Sequence, residues 1–173
     1  MIFEKVMVTG HRPFSISEEQ RDFTFRILPK VAKRLKDAYG MKEMISGMAL
    51  GADTIWADCA VDLGVPLSAY IPFPQQSDKW SFDDKNHWLK LRKEAAKEII
   101  IGEKFSIGLL HARNDAMIRA SDLAVAVWDP SIKTGGTASA VNKIRKAKKP
   151  MILIDLDALI VTTERFKGDN NYE

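Results

Sequence analysis

Hydrophobic runs of strand length recur along this chain, with helical stretches between them. Strands are expected near 3–9 (FEKVMVT), 43–46 (EMIS), 67–71 (LSAYI), 123–128 (LAVAVW) and 151–155 (MILID). Each is short, and several are apolar throughout rather than alternating, as strands covered on both faces should be. Helices are expected near 16–39, 52–63, 84–98, 111–120 and 137–148. The first has Ser17 as its N-cap, Glu18 and Glu19 in its first turn and Gly40 as its stop. Pro29 lies inside that pattern and is expected to kink or divide the helix. Strand–helix alternation with short connections predicts an α/β fold: an open, mainly parallel sheet with helices on both faces. A single domain over 1–166 is expected, with 72–88 a long, partly irregular excursion and 167–173 (KGDNNYE) a flexible tail.

In such a sheet, ligands bind beyond the carboxyl ends of the strands. The unusual residues fall there: TGHRP after 3–9, SGMALGAD after 43–46, PFP after 67–71 and WDPSIKTGGT after 123–128. In SGMALGAD, Gly47 and Gly51 let backbone approach a ligand closely. A helix opening at Ala52 would point its free N–H groups at an anion. Asp53 either caps that helix or addresses a ligand hydroxyl, such as that of a ribose. KTGGT repeats the arrangement, with Gly135 and Gly136 ahead of Thr137. Neither a G-x-x-x-x-G-K-[ST] loop nor a G-x-G-x-x-G turn is present.

Arg12 follows a strand end directly, where a guanidinium can grip phosphate. Arg113 and Asn114 are a second polar pair, on a helix surface or in the site. His11 is either a satisfied structural imidazole or a ligand contact. The three histidines show no metal-ligand spacing, so no metal site is expected. Trp56, Trp80, Trp88 and Trp128 read mostly as core. Trp80, in the excursion, is the candidate lid or base-stacking residue.

Composition changes this picture little. At 173 residues, 46% hydrophobic and 28% charged, the chain has the make-up of an ordinary globular domain. No apolar stretch approaches the roughly 20 residues of a membrane helix. The N-terminus runs into a strand without a basic leader, and a cytoplasmic protein is expected. Cys59 is the only cysteine, which excludes an internal disulfide and reads as a small buried residue. The net charge of +3 owes part of its excess to KIRKAKK at 143–149, late in a helix where cations suit the dipole. A nucleic-acid-binding patch is therefore not favoured.

Taken together, TGHRPF, ISGMALGADTIWADCAVDLGV, IPFPQQSDKW, RNDAMIRASDLAVAVWDPSIKTGGTASAV and ILIDLDALIVTTE resemble the YpsA-like branch of the SLOG superfamily, over about residues 3–165. That superfamily also includes DprA and the LOG phosphoribohydrolases. The resemblance implies a Rossmann-like fold, a nucleotide or nucleotide-derived ligand at the glycine turns, and a homodimer paired through helices. Thr9, Gly10 and Arg12 match the first-strand element, Ser46, Gly47, Gly51 and Asp53 the second turn, and Gly135, Gly136 and Thr137 the last. The LOG pattern Pro-Gly-Gly-x-Gly-Thr-x-x-Glu is not matched: aligned on Thr137, the position of its glutamate is Ala140. This departure speaks against LOG-type hydrolysis.

The expected function is binding or sensing of a small nucleotide-type ligand, such as NAD, an ADP-ribose derivative or a nucleoside phosphate, with no cofactor required. Phosphate would lie at the glycine turns with Arg12, a ribose hydroxyl at Asp53, and a base at Trp80 or Trp56. The alternative is an enzyme cleaving an N-glycosidic bond, which needs a carboxylate close by. Asp53 is its best candidate and Asp129 a poorer one. A DprA-like single-strand binder is a third reading, and the modest charge counts against it.

Overall fold

The computed structural model describes all 173 residues. Seven strands form one sheet: β1 (Lys5–Gly10), β2 (Glu43–Ser46), β3 (Leu67–Ile71), β4 (Lys97–Ile100), β5 (Leu123–Trp128), β6 (Met151–Asp155) and β7 (Ile160–Glu164). Five helices accompany them: α1 (Glu18–Tyr39), α2 (Ala52–Leu63), α3 (Phe82–Glu94), α4 (Ile107–Ala120) and α5 (Gly136–Lys146). The strand order is β4-β3-β2-β1-β5-β6-β7, parallel throughout except for β7, which runs antiparallel to β6. This is the open, mainly parallel α/β sheet that the sequence pattern predicts, and the Rossmann-like fold that the family resemblance implies.

The chain LAVAVW shows why the sheet is covered twice. Successive side chains of a strand point to opposite faces. Leu123, Val125 and Val127 therefore join the core built with α1 and α2, while Ala124, Ala126 and Trp128 join the one built with α4 and α5. On β1, Val6 and Val8 take the first side and Met7 the second. Each large side chain buried in this way contributes about 1.5–3 kcal/mol relative to exposure.

Four details differ from the sequence expectation. Strand β4 replaces the end of the helix expected over 84–98. Strand β7 was not anticipated, and α4 starts four residues before its expected position. Of the two outcomes expected at Pro29, a kink or a division, division does not occur, and α1 runs through it unbroken. The carbonyl it deprives of a donor is that of Phe25, an exposed residue, so water can satisfy it. Among the last residues, Tyr172 is buried with the Arg34 guanidinium 5.4 Å from its ring, and Asp169 pairs with Arg34. Edge strand β4 carries Lys97 paired with Glu43 and Glu98 paired with Arg92. No helix is long and apolar enough to cross a membrane.

Helix starts fall into two groups. Ser17, Ser81 and Ser106 cap α1, α3 and α4 with their hydroxyls. Helices α2 and α5 instead follow Gly51 and Gly135, at φ 97° and 95°, and neither has a side-chain cap. Positive φ favours glycine, and the cost of that choice is an unsatisfied first turn.

Candidate functional site

From β1 the chain winds outward through β2, and from β5 it winds the opposite way through β6. The helices following them, α1 and α5, go to opposite faces of the sheet. A crevice must open where neighbouring strands part in this manner, and this switch point is where open α/β sheets hold ligands. A cavity of about 670 Å³ lies there. Its walls are the end of β1 (Thr9–Arg12), Ala49 and Asp53, one face of α4, and the start of α5 at Gly135, Gly136 and Thr137.

The β1 exit is fixed by close packing. A Cβ on Gly10 would stand 2.5 Å from the Ala52 Cβ and 3.0 Å from the Val127 Cβ. Gly51 lies equally close beneath the turn: a Cβ there would meet the His11 carbonyl oxygen at 2.6 Å. His11 then links the two central strands. Its Nε2 accepts the Asp129 backbone N–H at 3.1 Å, which places the imidazole proton on Nδ1. Burial holds its pKa below the ordinary value, partly opposed by the Asp129 charge. His11 is thus chiefly a structural residue that also lines the cavity.

Arg113 is buried in α4. Its Nη1 donates to the Gly47 carbonyl at 2.5 Å, and its Nε donates to the Asn114 Oδ1 at 2.8 Å. Asp53 comes up to the same side of Gly47: a Cβ on that glycine would lie 2.7 Å from the Arg113 Nη1 and 2.8 Å from the Asp53 Oδ2. The Asp53 carboxylate accepts the Ala49 N–H at 3.3 Å, and its carbonyl accepts the Ser46 hydroxyl at 2.7 Å. Asp53 therefore closes the 46–53 loop rather than capping its own helix. Burial raises its pKa, with the Arg113 charge pulling the other way.

Asp129 is committed elsewhere. Ser131 donates to its Oδ1 through both N–H and hydroxyl, at 2.9 and 2.6 Å, and Gln20 donates to its Oδ2 at 2.9 Å. Burial alone would raise its pKa, but these hydrogen bonds and the His11 charge bring it below the usual value. Arg12 is the opposite case: exposed at the cavity, with a guanidinium that makes no hydrogen bond or ion pair within the chain. Beyond Gly135 and Gly136, a Cβ would meet nothing within 4 Å, so the uncapped start of α5 faces open space.

The structure therefore brings together Thr9, Gly10, His11, Arg12, Asp53, Arg113, Asn114, Gly135, Gly136 and Thr137. Ser46 and Gly47 stand behind the cavity as supports. Gly51 and Ala52 line a separate recess of about 320 Å³ beside α1, so the anion seat expected at the start of α2 is turned away from the main cavity. Trp80 is not among the residues lining the cavity; it packs edge-on against Trp88 at 6.2 Å. Trp56 is fully buried in the core and cannot face a base. Sequence reasoning missed Ile107, Leu110 and His111. With Asn114 they follow the i, i+3, i+4, i+7 spacing of one helix face, a signal hidden by starting α4 too late.

A doubly wound parallel sheet with its cavity at the switch point defines a Rossmann-like α/β protein. The sequence model of the YspA SLOG family matches residues 6–159, and the chain belongs to that family. No curated protein matches it. Among solved structures it is similar to DNA processing protein A (DprA) from Streptococcus pneumoniae, with a TM-score of 0.61 at 16% identity over 87% of this chain and 50% of that one. A second is DprA from Helicobacter pylori, described for its single-stranded DNA binding mode, with a TM-score of 0.58, 22% identity, and coverage of 87% and 64%. A third is the molybdenum cofactor carrier protein from Chlamydomonas reinhardtii, with a TM-score of 0.55, 20% identity, and coverage of 87% and 75%. The chain spans half the length of the pneumococcal protein.

Proposed function

We propose that this protein binds a nucleotide or nucleotide-derived anion in the switch-point cavity. The observation that carries this reading is the uncapped first turn of α5 opening onto the cavity that the unpaired Arg12 also lines. Free N–H groups, a helix dipole and a guanidinium face the same cavity, and each favours a phosphate. In this reading Asp53, on the cavity wall, accepts from a ribose hydroxyl. Two of the structural neighbours bind, by their descriptions, a molybdenum cofactor and single-stranded DNA, which supports a binding role for the fold. A small molecule is favoured over a strand. The basic run 143–149 is largely engaged internally: Lys143 pairs with Asp115, Arg145 with Glu164, and Lys149 donates to the Ser121 carbonyl.

Asp53 favours a second reading, cleavage of an N-glycosidic bond. It is a carboxyl group at the cavity with a raised pKa, and Asp129 is held by its own hydrogen bonds. Ala140, aligned with the LOG glutamate, is fully buried. One experiment addresses both readings: a thermal-shift screen against NAD, ADP-ribose, AMP, other nucleotides and the molybdenum cofactor, with mass spectrometry of every stabilising compound after incubation. A ligand at about 100 times its Kd adds about 2.7 kcal/mol, or roughly 5–10 °C for a chain of this size. Recovery of the ligand intact supports binding. Conversion to base plus ribosyl product, abolished by Asp53→Asn, supports the second reading. No shift with any nucleotide refutes both.

A further inference from the structure

The cavity has a chemically mixed lining. Around α5 it is polar. Along α4 and the loop after β5 it presents Ile107, Leu110 and Ile132, while no Phe, Tyr or Trp lines it. Ile107 is 65% exposed although it lies on a cavity wall, so an apolar surface is left for something else to cover. Ile132 is held in place: its N–H donates to the Asp129 carbonyl at 2.9 Å and its own carbonyl accepts the Trp128 Nε1–H at 3.0 Å. It stands three residues before Gly135, a reach of at most about 11 Å.

Polar groups on the same face of α4 have free valences. Arg113 Nε can only donate, so the atom of Asn114 that it meets is the oxygen, and the Asn114 amide nitrogen is left to donate to a ligand. His111 makes no hydrogen bond within the chain and offers one donor and one acceptor. From this arrangement we infer that Ile107, Leu110 and Ile132 form an aliphatic clamp for the planar heterocycle of a phosphorylated ligand, with His111 and Asn114 reading its edge. The inference rests on the phosphate seat proposed above and adds what distinguishes one ligand from another. Recognition of the ring is by aliphatic contact, since the tryptophans lie elsewhere.

The test compares AMP and GMP with ribose 5-phosphate, which keeps the sugar and phosphate but lacks the base, by titration calorimetry. Wild-type protein binds AMP or GMP at least tenfold more tightly than ribose 5-phosphate. Leu110→Ser and, at the exposed position where folding is not at stake, Ile107→Ser bring that ratio toward one and leave ribose 5-phosphate affinity unchanged. His111→Ala alters the ratio of AMP to GMP affinity threefold or more without affecting ribose 5-phosphate. A ratio near one in the wild type, or one that survives both serine variants, overturns the clamp while the phosphate seat stands. An unaltered AMP-to-GMP ratio in His111→Ala removes the assignment of that residue. Failure of all three compounds to bind overturns the phosphate seat and the clamp with it.

Discussion

Replacing Arg12 by alanine separates binding from stability, because the guanidinium is exposed and has no partner within the chain. Removal of such a surface group changes folding free energy by no more than about 0.5 kcal/mol, or about 1–2 °C in Tm for a chain of this size. Against a phosphate, the same group contributes charge-assisted hydrogen bonds of about 1.5–3 kcal/mol, which is roughly a 10- to 150-fold change in Kd. Arg113 provides the contrast. Arg113→Ala deletes the bonds to Gly47 and Asn114 and leaves the buried Asp53 without its nearest compensating charge. The cost should approach the lower end for a broken buried pair, about 3 kcal/mol, or roughly 6–12 °C. The assay is a thermal melt of each variant beside a calorimetric titration with AMP. The reasoning fails if Arg12→Ala lowers Tm by 5 °C or more while AMP affinity is unchanged.

Two further predictions concern the β1 exit. Gly10→Ala forces a Cβ into the Ala52 Cβ at 2.5 Å and should destabilise by about 1–3 kcal/mol. Adding Ala52→Gly removes the nearest obstacle, so chemical denaturation of the two single variants and the double should show non-additive losses; additive losses would place the strain elsewhere. His11 gives a pH dependence: its pKa in the folded chain is below the unfolded value of 6.5, so below that pH the unfolded chain holds more protons. Its contribution is complete above about pH 6.5 and is lost as pH falls toward the folded value. Asp53, with its raised pKa, acts in the opposite sense, so the measurement is the difference in melting curves between wild type and His11→Gln from pH 5 to 7.5. A constant difference across that range counts against the burial argument.

The interior strands were legible because burial on both faces leaves largely apolar runs, as in LAVAVW of β5 and MILI of β6. Strand β4 was not, because KEII at a sheet edge needs only one covered side, and its charged residues extended the preceding helical pattern. The start of α4 was hidden for another reason: Ile107-Gly108-Leu109-Leu110 shows no polar break, and Gly108 weakens a helical reading. The glycine turns were visible as composition, but which of them opens onto the cavity depends on tertiary packing. Gly51 is covered by the His11 carbonyl and Gly135 by nothing. Trp80 was misplaced because an aromatic residue in an irregular segment resembles a lid, whereas its partner Trp88 is fixed only by the fold.

A parallel sheet can grow only at its margins, by accepting a strand from another chain. At β4 the margin is four residues long, and Lys97 and Glu98 are anchored through ion pairs to Glu43 and Arg92. At β7, Glu164 is gripped by two nitrogens of Arg145. Short, charged margins make poor templates for strand addition. The residues that concealed β4 in the sequence thus guard the protein against edge-to-edge aggregation.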